Sequence, residues 1–179
     1  MKPAHKLAGQ WLMIPALLAL ASGHAAAFDL DAGQPIRVSA DSARLDDSQG
    51  VAIYQGNVRI TQGETRITAD RVELYRDADG LDRIAAKGQP ATYHQPATDN
   101  QSATDARARL IYYFADDSRL RFEEEAVVEQ GGNEFRGAII DYNTANRVVT
   151  AEGRTPEGEG SGRVEMVIQP RQGADSPAD

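Results

Sequence analysis

The 179-residue sequence contains no cysteine, which removes both a disulfide framework and thiol chemistry. Histidine is nearly absent as well: His5 and His24 lie near the start, and His94 stands alone beyond them. A single histidine cannot build a zinc site without suitably spaced carboxylates, and no HExxH or comparable cluster is present. No serine sits in a nucleophile-elbow context, and no glycine-rich loop is placed to cradle a phosphate. Acids are plentiful, yet none forms a carboxylate pair in a recognisable glycosidase setting. The sequence therefore argues against an enzyme and calls for no cofactor or metal. Positive charge is in deficit too. With 19 Lys+Arg against 27 Asp+Glu, the net charge is −8 at pH 7, and nucleic acid is excluded as a partner because phosphate binding needs a cationic surface.

Long apolar runs are also missing. A bilayer-spanning helix needs roughly 20 apolar residues, and the nearest approach, "WLMIPALLALA" from Trp11 to Ala21, is interrupted by Pro15. Lys2, His5 and Lys6 precede it, and "AAA" (Ala25–Ala27) follows with the small-x-small form of a signal-peptidase site. Residues 1–27 are expected to be a cleaved signal peptide, with a mature chain starting near Phe28 and exported from the cytoplasm. Residues 28–170 are the size of one domain. The polar, proline-bearing stretch 171–179 is expected to be a disordered tail. A chain of this kind, lacking disulfides, must be held by an apolar core and a well-paired sheet.

What is present is alternation. "PIRVSAD" places Ile36, Val38 and Ala40 on one face, and "VAIYQGNVRI" places Tyr54, Val58 and Ile60 there. Ile84, Tyr93, Leu120 and Phe122 recur in later segments, and turn signals such as "LDDSQG", "TQGE", "RDADG", "ADDS", "QGGN" and "YNTAN" separate them. The pattern predicts an all-β roll, sandwich or barrel. Inward parity changes near Asp70, since Ile67 and Ala69 are odd and Val72 and Leu74 even. A β-bulge or a break between two strands would each account for this. In "LIYYF", Arg107 and Arg109 on the odd side favour Leu110, Tyr112 and Phe114 as inward. Glu123-Glu124-Glu125 is the sharpest charge feature, read either as a contact for a cationic partner or as a solvated turn. His94 reads as a surface or strand-edge residue.

The chain also matches itself. At a shift of 68, "VRITQGETRITADRVEL" (58–74) lies on "AVVEQGGNEFRGAIIDY" (126–142) without a gap, and at a shift of 65, "IAAKG" (84–88) matches "VTAEG" (149–153). Two stacked copies of one unit are expected, although any two β-meanders align loosely.

"PIRVSAD", "YQGNVRITQGETRITADRVEL" and "GQPATYHQ" resemble the LptA/OstA-like family of lipopolysaccharide transport proteins. The likeness runs from about Ile36 to Gln169. In the second unit "EEEA" (123–126) replaces the usual Gly-Asn turn. The resemblance implies an open, slightly twisted β-jellyroll of about sixteen short antiparallel strands. It implies an apolar groove for the acyl chains of lipid A, in which Ile36, Val38, Tyr54, Val58, Ile60, Ile67, Leu74, Ile84, Tyr93, Leu120, Phe122, Val128, Phe135 and Tyr142 form the lining. A buried methylene contributes roughly 0.8 kcal/mol, so sheltering half of a ~12-carbon chain gives ~5 kcal/mol. Copies are expected to join head to tail through edge strands carrying Ile36, Val38, Val164, Met166, Val167 and Ile168. An LptC-like inner-membrane protein and the N-terminal domain of an LptD-like outer-membrane protein are the implied end partners, and the periplasm the compartment. Two other readings compete: a membrane-anchored LptC-like sibling, and a β-sandwich subunit of an adhesin or surface fibre whose apolar face is a closed core. A jellyroll carbohydrate enzyme would need an acid pair that is not evident.

Overall fold

The computed structural model describes residues 34–78, 80–99, 101–153 and 162–170. The expected signal peptide (1–27) and tail (171–179) lie outside the described residues. Among those described, ten strands follow in order: β1 (Arg37–Ser39), β2 (Ser42–Asp46), β3 (Val51–Gln62), β4 (Thr65–Arg76), β5 (Leu81–Gln95), β6 (Thr104–Phe114), β7 (Arg119–Gln130), β8 (Asn133–Asn143), β9 (Val148–Glu152) and β10 (Glu165–Val167). They make one antiparallel sheet, ordered β1-β3-β4-β5-β6-β7-β8-β10, with β2 beside β1 on the free side of β3 and β9 beside β10 on the free side of β8.

The six strands β3 to β8 are long, 11 to 15 residues each. The pairing register shifts once near the middle of β3–β4 (Gln55/Val58), β5–β6 (Lys87/Ala91), β6–β7 (Arg107/Leu110) and β7–β8 (Glu123/Ala126), and at Thr68/Arg71 in β4–β5. Neighbouring shifts share residues: Gln55 pairs with Arg71, Arg71 with Lys87, Lys87 with Leu110, and Leu110 with Glu123. They form a line across the sheet, and the sheet folds along it into two facing wings. Counting each long strand as two segments, one in each wing, recovers the sixteen short strands implied by the family resemblance; the backbone is continuous through the fold line, so the observed strands are fewer and longer.

Side chains from both wings meet inside. Tyr93 in one wing packs edge-on to Phe122 in the other at 6.2 Å between ring centroids, a favoured aromatic geometry. Gln130 Nε2 donates to the Tyr142 hydroxyl at 3.4 Å across the same gap. The parity change at Asp70 falls inside the continuous strand β4, at a register irregularity with both neighbours and not at a strand break. A second change of parity corrects the reading of "LIYYF". Ala106 and Ala108 point in, but beyond the fold line Ile111 and Tyr113 are the buried residues, each 1% exposed. At the irregularity between Arg107 and Leu110, Arg109 and Leu110 both face outward in succession, which turns Leu110, Tyr112 and Phe114 to the outer surface. There Tyr112 stacks on Phe114, and the Arg119 guanidinium lies 4.2 Å over the Phe114 ring.

The internal repeat is present in the pairing itself. Val72 opposes Ala86, and Ile140 opposes Ala151, at shifts of 68 and 65. Val38 opposes Ile60 as Ala106 opposes Val128, and Ser42 opposes Gln55 as Leu110 opposes Glu123. β1 and β2 together are thus the counterpart of β6, and β9 with β10 the counterpart of β5.

The two units also share a backbone detail that their sequences hide. Gly56 and Asn57 cross the fold line with φ of 76° and 48°, and Glu124 and Glu125, their counterparts, do so with 63° and 60°. Glycine and asparagine tolerate this left-handed region; a glutamate there is strained by about 1 kcal/mol. Arg109 relieves part of it by an ion pair to Glu125 at 2.9 Å, standing where Asp41 accepts from Asn57 at 2.8 Å in the first unit. Replacing Glu124 with Gly is expected to raise the unfolding free energy by about 1 kcal/mol, read as a higher urea midpoint at unchanged slope; a lower midpoint would count against strain at this position.

Candidate functional site: the inward face and the open edges

Every residue expected to line the groove lies on the inward face and belongs to one apolar cluster spanning both wings. They differ in access. Val58, Ile60, Ile67, Ile84, Tyr93, Leu120, Phe122, Val128 and Tyr142 are at most 1% exposed. Ile36, Val38, Tyr54, Leu74 and Phe135 are half-buried and pack against that cluster from its margins. Side chains outside that expected lining complete the interior: Ala52, Ala69, Ala86, Ala91, Ala106, Ala108 and Ala126, with Val72, Ile111, Tyr113 and Ile140. The small alanine side chains let the two wings approach closely.

Polar groups inside are few. The Tyr93 hydroxyl donates to Gln95 Oε1 at 3.1 Å, and Gln130 Nε2 donates to Thr104 Oγ1 at 2.8 Å. Burial, with Tyr142 and Tyr113 close by, pushes the Tyr93 phenol far up, so it stays neutral. Charge is confined to the outer face, where it forms cross-strand and along-strand pairs: Arg71–Glu73 at 2.8 Å, Arg119–Asp141 at 2.8 Å, Arg121–Glu123 at 2.7 Å and Arg107–Glu129 at 3.1 Å. His94 belongs to this surface and pairs with Asp105 at 2.7 Å. The result is an oily inside and a mixed, solvated outside along the whole sheet.

The sheet has two open edges. No strands other than hydrogen-bonded neighbours approach within 8 Å between Cα atoms among the described residues, so the β1/β2 edge and the β9/β10 edge do not close on each other. Val38 lies within β1 and Ile36 flanks it; Met166 and Val167 lie within β10, flanked by Val164 and Ile168. Among the described residues, the large apolar side chains left exposed are Leu45, Val148, Val164, Met166, Val167 and Ile168, at 43% to 64%. All stand on or beside the two edges. The sequence reading placed β1 and β10 there but missed β2 and β9. Leu45 precedes a turn signal and Val148 follows one, so neither short segment showed alternation long enough to read as a strand.

A single rolled sheet, apolar within, charged without and unpaired at both ends, defines an open β-jellyroll carrier or scaffold. The chain belongs to the family described as LptA/(LptD N-terminal domain) LPS transport protein, whose model matches residues 37–148. The lipopolysaccharide export system protein LptH of Pseudomonas aeruginosa is 41% identical over 160 residues, covering 87% of this chain and 91% of that protein. The lipopolysaccharide export system protein LptA of Haemophilus influenzae is 31% identical over 170 residues, covering 93% of this chain and 95% of its own. The crystal structure of Pseudomonas aeruginosa LptH, described as the LptA-homologous periplasmic component of the lipopolysaccharide transport device, superposes with a TM-score of 0.72 at 42% identity, over 76% of this chain and 96% of that one.

One outer-face carboxylate is perturbed in a way that stability should report. The Tyr75 hydroxyl and then the Arg71 guanidinium hold Glu73 below its ordinary value of 4.5. Because the folded-state value is lowered, the stabilisation is complete above pH 4.5 and is lost as pH falls through the folded value. Thermal melts should be level from pH 7 to 5 and fall below pH 4.5, and Glu73→Gln should flatten that fall; an unchanged acid limb in the variant would remove Glu73 from the account.

Proposed function

We propose that this protein is a periplasmic component of lipopolysaccharide export that holds the acyl chains of lipid A against its inward face and passes them along the sheet. The observation that carries this reading is the unbroken apolar face across both repeat units in a member of a lipopolysaccharide transport family. Its net negative charge suits binding driven by hydrocarbon, with the head group kept outside the roll at its solvent-facing rim and most of its charge screened by counter-ions. A bridge of this kind needs no catalysis and no cofactor, because the work of moving the lipid is done elsewhere. The rival adhesin reading requires only a closed core and gives no role to the half-buried inward residues at the margins. A photo-cross-linking side chain in place of Tyr54 or Phe135 is expected to capture lipopolysaccharide in cells, with none captured at outward Arg59. Adducts at Arg59 alone would favour the sandwich-subunit reading.

The same reading has copies joined head to tail, β9/β10 of one to β1/β2 of the next. The repeat supports a specific register. Inside the chain Tyr93 opposes Ala106, Ile84 opposes Tyr113 and Ala86 opposes Ile111 across β5–β6. Substituting the counterparts at each edge brings Met166 opposite Val38, Val149 opposite Leu45 and Ala151 opposite Ala43 of the neighbouring copy. That pairing covers Leu45 and Met166, which are 60% and 51% exposed in the single chain. An LptC-like protein and the N-terminal domain of an LptD-like protein, having the same fold by family, would take the two terminal edges. Since the chain has no cysteine, the register is directly testable. Val38→Cys with Met166→Cys should form disulfide-linked ladders on oxidation, and Val38→Cys with Val167→Cys should not; the reverse result would refute the register.

A further inference from the structure

The rim of the roll opposite the fold line is where the two wings end, and there one charged side chain ties the two together. Arg147, in the turn between β8 and β9, reaches from one wing to the loop between β5 and β6 at the tip of the other. Its Nη1 donates to Gln101 Oε1 at 2.7 Å and its Nη2 to the Ser102 carbonyl at 3.1 Å, across 46 and 45 positions of sequence. The residue is held in the left-handed region at φ 60°, with its own amide donating to the Asn143 carbonyl at 2.8 Å. An arginine there is strained relative to glycine or asparagine, so its backbone is fixed by what surrounds it. Beside it opens a cleft of about 740 Å³ lined by Gln101, Ser102, Gln130, Arg147, Ile168 and neighbouring residues, in which Arg147 is the one charged group among the described lining residues. Just inside lie the Tyr142 hydroxyl and Gln130, joined by the long 3.4 Å contact, and behind them the sealed interior.

This geometry bears on access. The interior side chains are closed to solvent, so a hydrocarbon chain enters only if the wings part. The fold line supplies the hinge, because its residues sit at bulges and left-handed positions and not in regular ladder. The rim supplies the resistance.

We propose that Arg147 is a latch on the mouth of the roll and a head-group contact for the cargo: it holds the wings closed through Gln101 and Ser102, and exchanges those two acceptors for the anionic head of an amphiphile whose chain passes inside. The second half rests on the lipid-holding reading above; the first does not. A guanidinium suits this exchange because its fork matches two oxygens, whether amide and carbonyl or two oxygens of a phosphate. Net negative charge elsewhere on the chain leaves a single cation at the cleft as a local selector for an anion.

The test uses the full mature chain and three variants. Arg147→Ala is expected to speed amide hydrogen exchange at 101–104 and 144–148 about tenfold, the scale of losing charge-assisted hydrogen bonds. Gln101→Glu, which converts one acceptor to a carboxylate, is expected to slow exchange at the same amides, an effect opposite in sign that misfolding cannot mimic. With dodecyl phosphate and dodecyl maltoside as probes, the unaltered protein should prefer the phosphate, Arg147→Ala should lose that preference while exchanging the maltoside faster, and Arg147→Lys should retain part of it. Unchanged exchange in both Arg147→Ala and Gln101→Glu overturns the latch. Equal protection by inorganic phosphate alone overturns the amphiphile as the ligand. Faster exchange in Arg147→Ala with no probe bound by any form supports the latch and removes the lipid-holding reading instead.

Discussion

The fold depends on one geometric constraint: a two-residue side-chain period must stay in phase with a single apolar face while the sheet turns back on itself. A straight strand folded in half would lose that phase or its pairing. Here several long strands meet the fold line with two successive outward residues, as at Asp70 and Arg71 in β4 and at Arg109 and Leu110 in β6, and β3 and β7 meet it with left-handed residues. The inward row therefore resumes on the far side: Ile67 and Ala69 hand over to Val72 and Leu74, Ala106 and Ala108 to Ile111 and Tyr113. Without those irregularities half of the interior would face water.

From this follows the division between interior and ends. Within the sheet each strand has a partner on both sides, and the hydrophobic side chains of the two wings cover one another. At β1/β2 and β9/β10 neither is true, which is why the exposed apolar side chains gather there. A closed barrel would have removed these edges. An open roll keeps them, and the matching of β6 with β1/β2 and of β5 with β9/β10 makes each edge the complement of the other.

Much of this was readable in the residues. Alternation identified the inward face, and apart from Leu110, Tyr112 and Phe114 the residues it singled out lie in the common core, because period-two patterning is written locally. The repeat was visible for the same reason: Val72 with Ala86 and Ile140 with Ala151 keep their spacing through weak identity. The missed features depend on more than pattern. "LIYYF" is apolar on both faces, so the parity reversal within β6 left no trace in composition. Inward alanines without a large apolar residue two positions away on the same face, such as Ala106 and Ala108, carry too little hydrophobic signal to mark it. Glu124 and Glu125 contradict the turn chemistry of Gly56 and Asn57 and adopt its conformation anyway, a case of tertiary context overriding local preference. Arg147 reaches Gln101 across 46 positions, a separation no motif records.

The likeness of the internal β5–β6 junction to the pairing available at the free edges bears on size control. A polymer whose joints repeat the interior of its own subunit contains no counter: adding the tenth copy is energetically the same as adding the second. Such a chain cannot measure out a span by itself. If copies join as proposed, their number in series would be set by whatever terminates the two free edges, and would change with the distance separating those ends.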